Sequence, residues 1–381
     1  MKKIGILTFH ASHNNGSMLQ ALALQRILSE KSTLPVEIID FSNSEQKNMY
    51  SPLPKAKNLK KLIKKMILLL NHKQMNKQFA EYEDFKRAYF QLSDRSFETV
   101  EDFLPYLKDY KAIVVGSDQI WNIKCIDADD FYFLDKVSGV LKYAYAVSFG
   151  ANNPFVLQEK RGKYESLLSE FSAISVRERN AQRWIKQAME TNVDICLDPT
   201  MLLNRFEWEG LVDVGDNPII EGDYIFFYCF SISCKEQKFL KEISMKYHMP
   251  VYFMDAREWT LRVCMRNDIK LIKRYGPSVY LNIVKNAKLF VTTSFHGTAF
   301  ASIYEKCFWY IKNEDANGQD DRALTFLTQM GLLDRYKTIN ELRGIDLLSG
   351  RDYTEPKERL AALQRHSLEY IERMIWNIEN E

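Results

Sequence analysis

Residues 288–311 read KLFVTTSFHGTAFASIYEKCFWYI. An apolar run over Leu289–Thr293 is followed by a polar turn with Ser294, His296, Gly297 and Thr298. A small-residue helix start comes next, and then a second apolar run over Cys307–Ile311. Strand, turn, helix and strand in this order form the repeating unit of a parallel sheet. A helix starting near His296 offers unpaired N–H groups and the positive end of its dipole to whatever lies above the turn. With an imidazole at the same spot, the turn suits anion binding with proton transfer beside it.

The same rhythm extends in both directions. Upstream, the pattern predicts strands over Tyr224–Phe230 and Val251–Asp255, with helices over Lys235–Tyr247 and Ser278–Asn286. Downstream it predicts a helix over Asp321–Met330. An earlier series begins with the apolar run KIGILTF at 3–9, which reads as a strand buried on both faces. A helix over Ser17–Glu30 and strands over Val36–Phe41, Ala112–Val115, Tyr143–Val147, Ala173–Val176 and Val193–Leu197 follow, with a helix over 178–190. Two α/β halves of similar rhythm imply two facing Rossmann-like domains with a ligand cleft between them. The expected domains span 1–204, with a basic helical insert over about 46–92, and 224–350. The tail 356–381 is expected as a helix packing back on the first domain.

Composition narrows the classes. The chain has 381 residues, 46% hydrophobic and 27% charged, and a net charge of +2. That length favours two domains, and the charge implies no nucleic acid partner. Six scattered cysteines without a CxxC pair read as buried thiols in a reducing compartment. The first apolar run is too short for a secretion signal, and no stretch approaches a membrane span. A cytoplasmic protein is expected. Between Gln46 and Ala80, however, lie nine lysines and no acidic residue, with Leu59, Leu62, Ile63, Met66, Ile67 and Leu70 at helical spacing. This segment reads either as a helix on an anionic membrane surface or as a helix packed on its own domain.

Several turns carry candidate site residues. In the first βα loop, Asn15 and Gly16 precede a helix, and Gly16 suits close approach of the backbone to a ligand. After the strand ending at Val115, Ser117, Asp118, Gln119 and Asn122 suit hydroxyl recognition, and Trp121 suits stacking on a sugar face. Arg177 and Arg179 at a helix start suit an anion clamp, and Arg322 at another helix start faces the same cleft. Asp198-Pro199-Thr200 reads as a structural turn.

Together these pieces resemble the polysaccharide pyruvyl transferase family. The resemblance is carried by NNGSMLQALAL at 14–24, VVGSDQIWN at 114–122, AVSFGA at 146–151, SVRERNA at 175–181, CLDPTML at 196–202, TTSFHGTAFAS at 292–302 and DDRALTFL at 320–327. It implies two facing Rossmann-like domains of glycosyltransferase B type. It further implies phosphoenolpyruvate as donor, a sugar diol as acceptor, commonly on a lipid carrier at the inner membrane face, a cyclic pyruvate ketal as product, and no required metal or cofactor. His296 would then be the acid or the residue that protonates the phosphate, and Asp118 the hydroxyl base. Arg177, Arg179, Ser294, Gly297, Thr298 and Arg322 would hold the donor. Asn15, Gly16, Ser117, Gln119, Trp121 and Asn122 would hold the acceptor. The family carries a donor-binding arginine two residues before the motif histidine, and here that position is Ser294. A nucleotide-sugar-dependent glycosyltransferase on the same fold and a catalytically silent sugar-binding protein are the alternative readings.

Overall fold

The computed structural model describes residues 2–55, 58–263, 268–312 and 320–381. The first sheet contains β1 (Lys3–Leu7), β2 (Val36–Phe41), β3 (Leu92–Phe97), β4 (Tyr110–Asp118), β5 (Leu141–Val147), β6 (Ala173–Val176) and β7 (Asp194–Ile195). The second contains β8 (Ile225–Tyr228), β9 (Val251–Phe253), β10 (Ile269–Leu271), β11 (Leu289–Thr292), β12 (Phe308–Ile311) and β13 (Tyr336–Lys337). Strand order is β3-β2-β1-β4-β5-β6-β7 in one and β10-β9-β8-β11-β12-β13 in the other. Every pairing in both sheets is parallel. The expectation of two Rossmann-like α/β halves is met.

Strand order reverses between β1 and β4 in the first sheet and between β8 and β11 in the second. Loops leaving the carboxyl ends of adjacent strands diverge at such a point and leave a crevice. These four strands are the near-continuous apolar runs of the sequence, because helices cover both faces of a parallel sheet. β3, β10 and β13 were not foreseen. All three are edge strands; β10 and β13 are short, and β3 (LSDRSF) is half exposed and mostly polar, so it shows no apolar run.

Helix Asn15–Lys31 joins the two halves. Its residues Leu19 and Leu22 belong to one apolar cluster with Ile4 and Ile6 of β1, Tyr280 and Ile283 of helix Pro277–Asn286, and Phe300 of helix Phe295–Ile303. The helix Thr354–Asn380 lies across the first sheet. Tyr370 Oη donates to the Ala144 carbonyl (3.1 Å), and the Leu197 amide donates to Ser367 Oγ (2.9 Å).

The segment between β2 and β3 forms helices Ser44–Tyr50, Leu59–Leu69 and His72–Tyr89. The five described cysteines are free thiols. Cys196 and Cys229 are buried, but Cys234 at the first turn of helix Cys234–Tyr247 is exposed, contrary to the expectation of buried thiols. Cys264 lies outside the described residues. No described helix is long and apolar enough to cross a membrane.

Candidate active site

The loops after β1, β4, β8 and β11 meet in a cleft of about 380 Å³ lined by Asn14, Ser17, Asp118, Gln119, Phe230, Ser294, His296 and Arg322, among others. A second lobe of about 300 Å³ adjoins it and shares Asn14, Met49, Tyr50 and Phe230 with it.

Beneath the first lobe lies a buried polar cluster. Arg177 Nη1 donates to Asp198 Oδ2 at 2.5 Å, and Nη2 donates to Asp118 Oδ1 at 3.0 Å. Its guanidinium rests 4.7 Å from the Phe295 ring centroid. Ser17 Oγ donates to Asp118 Oδ2 (2.5 Å), and Ser117 Oγ donates to Asp198 Oδ2 (3.1 Å). His296 closes the cluster from the other half, with Nε2 3.5 Å from Asp198 Oδ2. Each carboxylate therefore faces positive charge and donated hydrogen bonds.

Burial pushes the Asp198 carboxyl up, but the His296 imidazole, Arg177 and the Thr200 hydroxyl outweigh it and hold the group well below the usual carboxylate range. Asp118 follows the same logic. Burial raises it, while the charges of Arg177 and His296 and the Ser17 hydrogen bond bring it below its ordinary value. Both are ionised at neutral pH.

The turn at 292–298 is built by local hydrogen bonding. Thr292 Oγ1 donates to the Tyr228 carbonyl (2.7 Å) and accepts from the Ser294 amide (2.9 Å). Ser294 caps the helix, its Oγ accepting from the Gly297 amide (3.3 Å). The cap occupies one of the N–H groups expected to face a ligand. His296 is held down by Gly16, since a Cβ at residue 16 would lie 2.2 Å from the imidazole Cγ and Nδ1. The backbone at Gly16 makes its close approach to the histidine, where a ligand contact was expected.

Other expected residues fall in different places. Arg177 is almost wholly buried between two carboxylates and does not line the cleft, so it is not available as a donor clamp. Arg179 is exposed and lines neither lobe. Thr298 is fully buried and donates to the Ser294 carbonyl, and Gly297 packs on Thr292. Trp121 is a core residue stacked on Phe133, with Nε1 donating to the Tyr132 carbonyl, so it does not stack on a sugar. Ser117 is fully buried, and Asn122 braces the turn by donating to Gln119 Oε1 and accepting from Asn152. Asn15 lines the second lobe, its Oδ1 accepting from Tyr82 Oη (2.9 Å). Gln119, Ser294 and Arg322 line the first lobe beside Asp118 and His296.

The structure also reveals residues the sequence reading missed. Asp198 was read as a structural turn, but it is the anchor of both Arg177 and His296. Ser17 and Lys124 line the first lobe, and Lys124 and Arg322 are its lysine and arginine among the lining residues. Arg322 is gripped by Asp320 through Nε (2.8 Å) and Nη2 (2.6 Å). Glu178 is fully buried. One oxygen accepts from the Phe149 amide (2.9 Å), and the other has no hydrogen-bond partner among the described residues. Burial pushes its carboxyl up to about 8, against the pull of Arg177 and Arg322. Its place between two arginines at a strand end was the available signal.

Comparisons with known proteins agree with this architecture. The protein is similar in fold to S. aureus MnaA solved with UDP, at a TM-score of 0.51 and 10% identity, over 97% of this chain and 90% of that one. UDP-GlcNAc 2-epimerase from Methanocaldococcus jannaschii aligns at a TM-score of 0.49 and 14% identity, over 93% of this chain and 95% of that one. At 10% identity the likeness to MnaA shows the fold alone. A search of curated proteins finds no match. The sequence profile described as Polysaccharide pyruvyl transferase matches residues 14–315, which takes in helix Asn15–Lys31, the loops after β4, β8 and β11 and every residue of the buried polar cluster. The chain is a transferase that belongs to the polysaccharide pyruvyl transferase family.

Proposed function

We propose that this transferase moves the pyruvyl unit of phosphoenolpyruvate onto a saccharide acceptor, carried on a lipid at the cytoplasmic face of a membrane, and closes it there as a pyruvate ketal. The carrying observation is the convergence of His296, Asp118 and Arg322 on one cleft at the switch points of both sheets. In this reading, Arg322 and Lys124 hold the anionic donor in place of the arginine that Ser294 lacks. The Asp320 carboxylate beneath Arg322 fixes the guanidinium plane.

Protonated His296 gives its proton to the C3 methylene carbon of phosphoenolpyruvate, leaving a cationic C2. An acceptor hydroxyl oxygen bonds to C2 and passes its proton to Asp118, which is ionised and lines the cleft. The C2–O bond to phosphate breaks with its electron pair on phosphate. A second hydroxyl then bonds to C2, passes its proton to the His296 left neutral by the first step, and closes the ketal. Each positioned proton transfer contributes about 10²–10⁴-fold. The scheme draws every proton transfer and charge from the chain's own side chains.

The test is incubation of the purified protein with phosphoenolpyruvate and a panel of saccharides, reading phosphate release and the mass gain of the acceptor. A parallel panel of nucleotide-sugars, reading nucleotide release, separates the glycosyltransferase reading. Silence in both panels leaves sugar binding without turnover.

A further inference from the structure

Helix Leu59–Leu69 sits on the molecule with its apolar side outward. Its inward anchor is Leu68, which is buried, and Asn71 just beyond donates to Thr260 Oγ1 (2.9 Å). These contacts seat it on helices Ala256–Arg262 and His72–Tyr89. At about 100° per residue, Leu59, Leu62, Ile63, Met66, Leu69 and Leu70 share one arc of about 120°, nearly opposite Leu68. All six are between 46% and 85% exposed. A soluble surface helix normally buries such a stripe, so this one is built to be covered by something else.

The flanking charge says what covers it. Lys60, Lys61, Lys64 and Lys65 lie beside and behind the stripe, and none makes an ion pair among the described residues. No acidic residue occurs between Gln46 and Ala80. An apolar stripe bordered by uncompensated lysines matches a bilayer with anionic head groups. The leucines enter the acyl boundary, and the lysine stems reach back to the phosphates. Helices Ala256–Arg262 and His72–Tyr89, on which this helix rests, also supply walls of the second lobe of the cleft.

We infer that helix Leu59–Leu69 docks the enzyme on an anionic lipid surface, lying in the interface plane with the second lobe close to the bilayer. The inference stands on the helix alone and holds whatever the donor is. Its test is co-sedimentation of the full chain with phosphatidylglycerol/phosphatidylcholine vesicles and with pure phosphatidylcholine vesicles, in the absence of substrates. The wild type should bind the anionic vesicles and dissociate at high salt. Leu62→Asp/Met66→Asp should weaken binding by about tenfold or more, as should Lys60→Gln/Lys61→Gln/Lys64→Gln. All five positions are exposed, so both variants should keep the wild-type melting curve. Absence of wild-type binding overturns the inference, as does undiminished binding by the aspartate variant. Sedimentation velocity provides the other arm. If the wild type dimerises, the aspartate variant is monomeric and neither binds vesicles, a second copy of the chain covers the stripe and the lipid assignment fails.

Discussion

His296 of the second half reaches Asp198 of the first, with Nε2 3.5 Å from Oδ2. The contact joins the two sheets at the floor of the cleft. Asp198 binds Arg177 at the same oxygen, so the imidazole, the guanidinium and the carboxylate form one charge cluster with Asp118. The imidazole thus faces a carboxylate across the junction of the two halves, with the cleft on its other side.

Replacing His296 by Ala should therefore lower turnover by about 10²-fold or more while the fold persists. The check is a steady-state rate together with a thermal melt. Wild-type turnover in a folded variant would remove His296 from the reaction.

Gly16→Ala should act through His296. The added methyl would lie 2.2 Å from the imidazole, so the ring or the helix start must move. Overpacking of this kind costs about 1–3 kcal/mol of stability. Turnover should fall much further than the stability loss explains, and a crystal structure of the variant should show the ring displaced from Asp198. An unshifted ring with full activity would refute this.

Arg322 and Arg177 should separate cleanly. Arg322→Ala should weaken donor binding by roughly 1.5–3 kcal/mol, the scale of a charge-assisted hydrogen bond, with the fold intact. Arg177→Ala strips the guanidinium from two buried carboxylates and should destabilise the fold by about 3–5 kcal/mol. Denaturant midpoints and calorimetric titration with phosphoenolpyruvate measure the two effects. Ser294→Arg, which returns the family's charge, should tighten donor binding.

Glu178 should make stability pH-dependent in the neutral range. Its folded value of about 8 lies above the ordinary carboxyl value, so the folded state holds a proton that the unfolded chain has released. Stability should then fall as pH rises from about 4.3 toward 8. Glu178→Gln, which cannot ionise, should flatten that slope in urea titrations at pH 5, 6, 7 and 8. Asp118 and Asp198 act in the opposite sense. Their contribution is complete above about pH 4 and is lost as acid protonates them in the folded state.

Much of the fold was legible in the chain. Strands β1, β4, β8 and β11 are apolar runs because both faces of a parallel sheet are covered, and that burial is written into consecutive residues. Their loops carry Asp118 and His296 to the crevice for the same reason, since loops at a switch point must diverge. The family motifs are likewise local and readable in order. Tertiary structure alone decided which polar side chains face the cleft and which lie beneath it. Arg177 and Arg179 are two residues apart, yet one is locked between carboxylates and the other stands in solvent. Trp121 went into the core, and Asp198 became the anchor of His296. Long-range packing fixes these outcomes, because the partner that satisfies a buried charge lies tens of residues away and leaves no periodic trace. The helix at 59–69 shows the same division. Its amphipathic pattern is plain in the sequence, but only the seat of Leu68 on the protein determined that the apolar stripe faces outward.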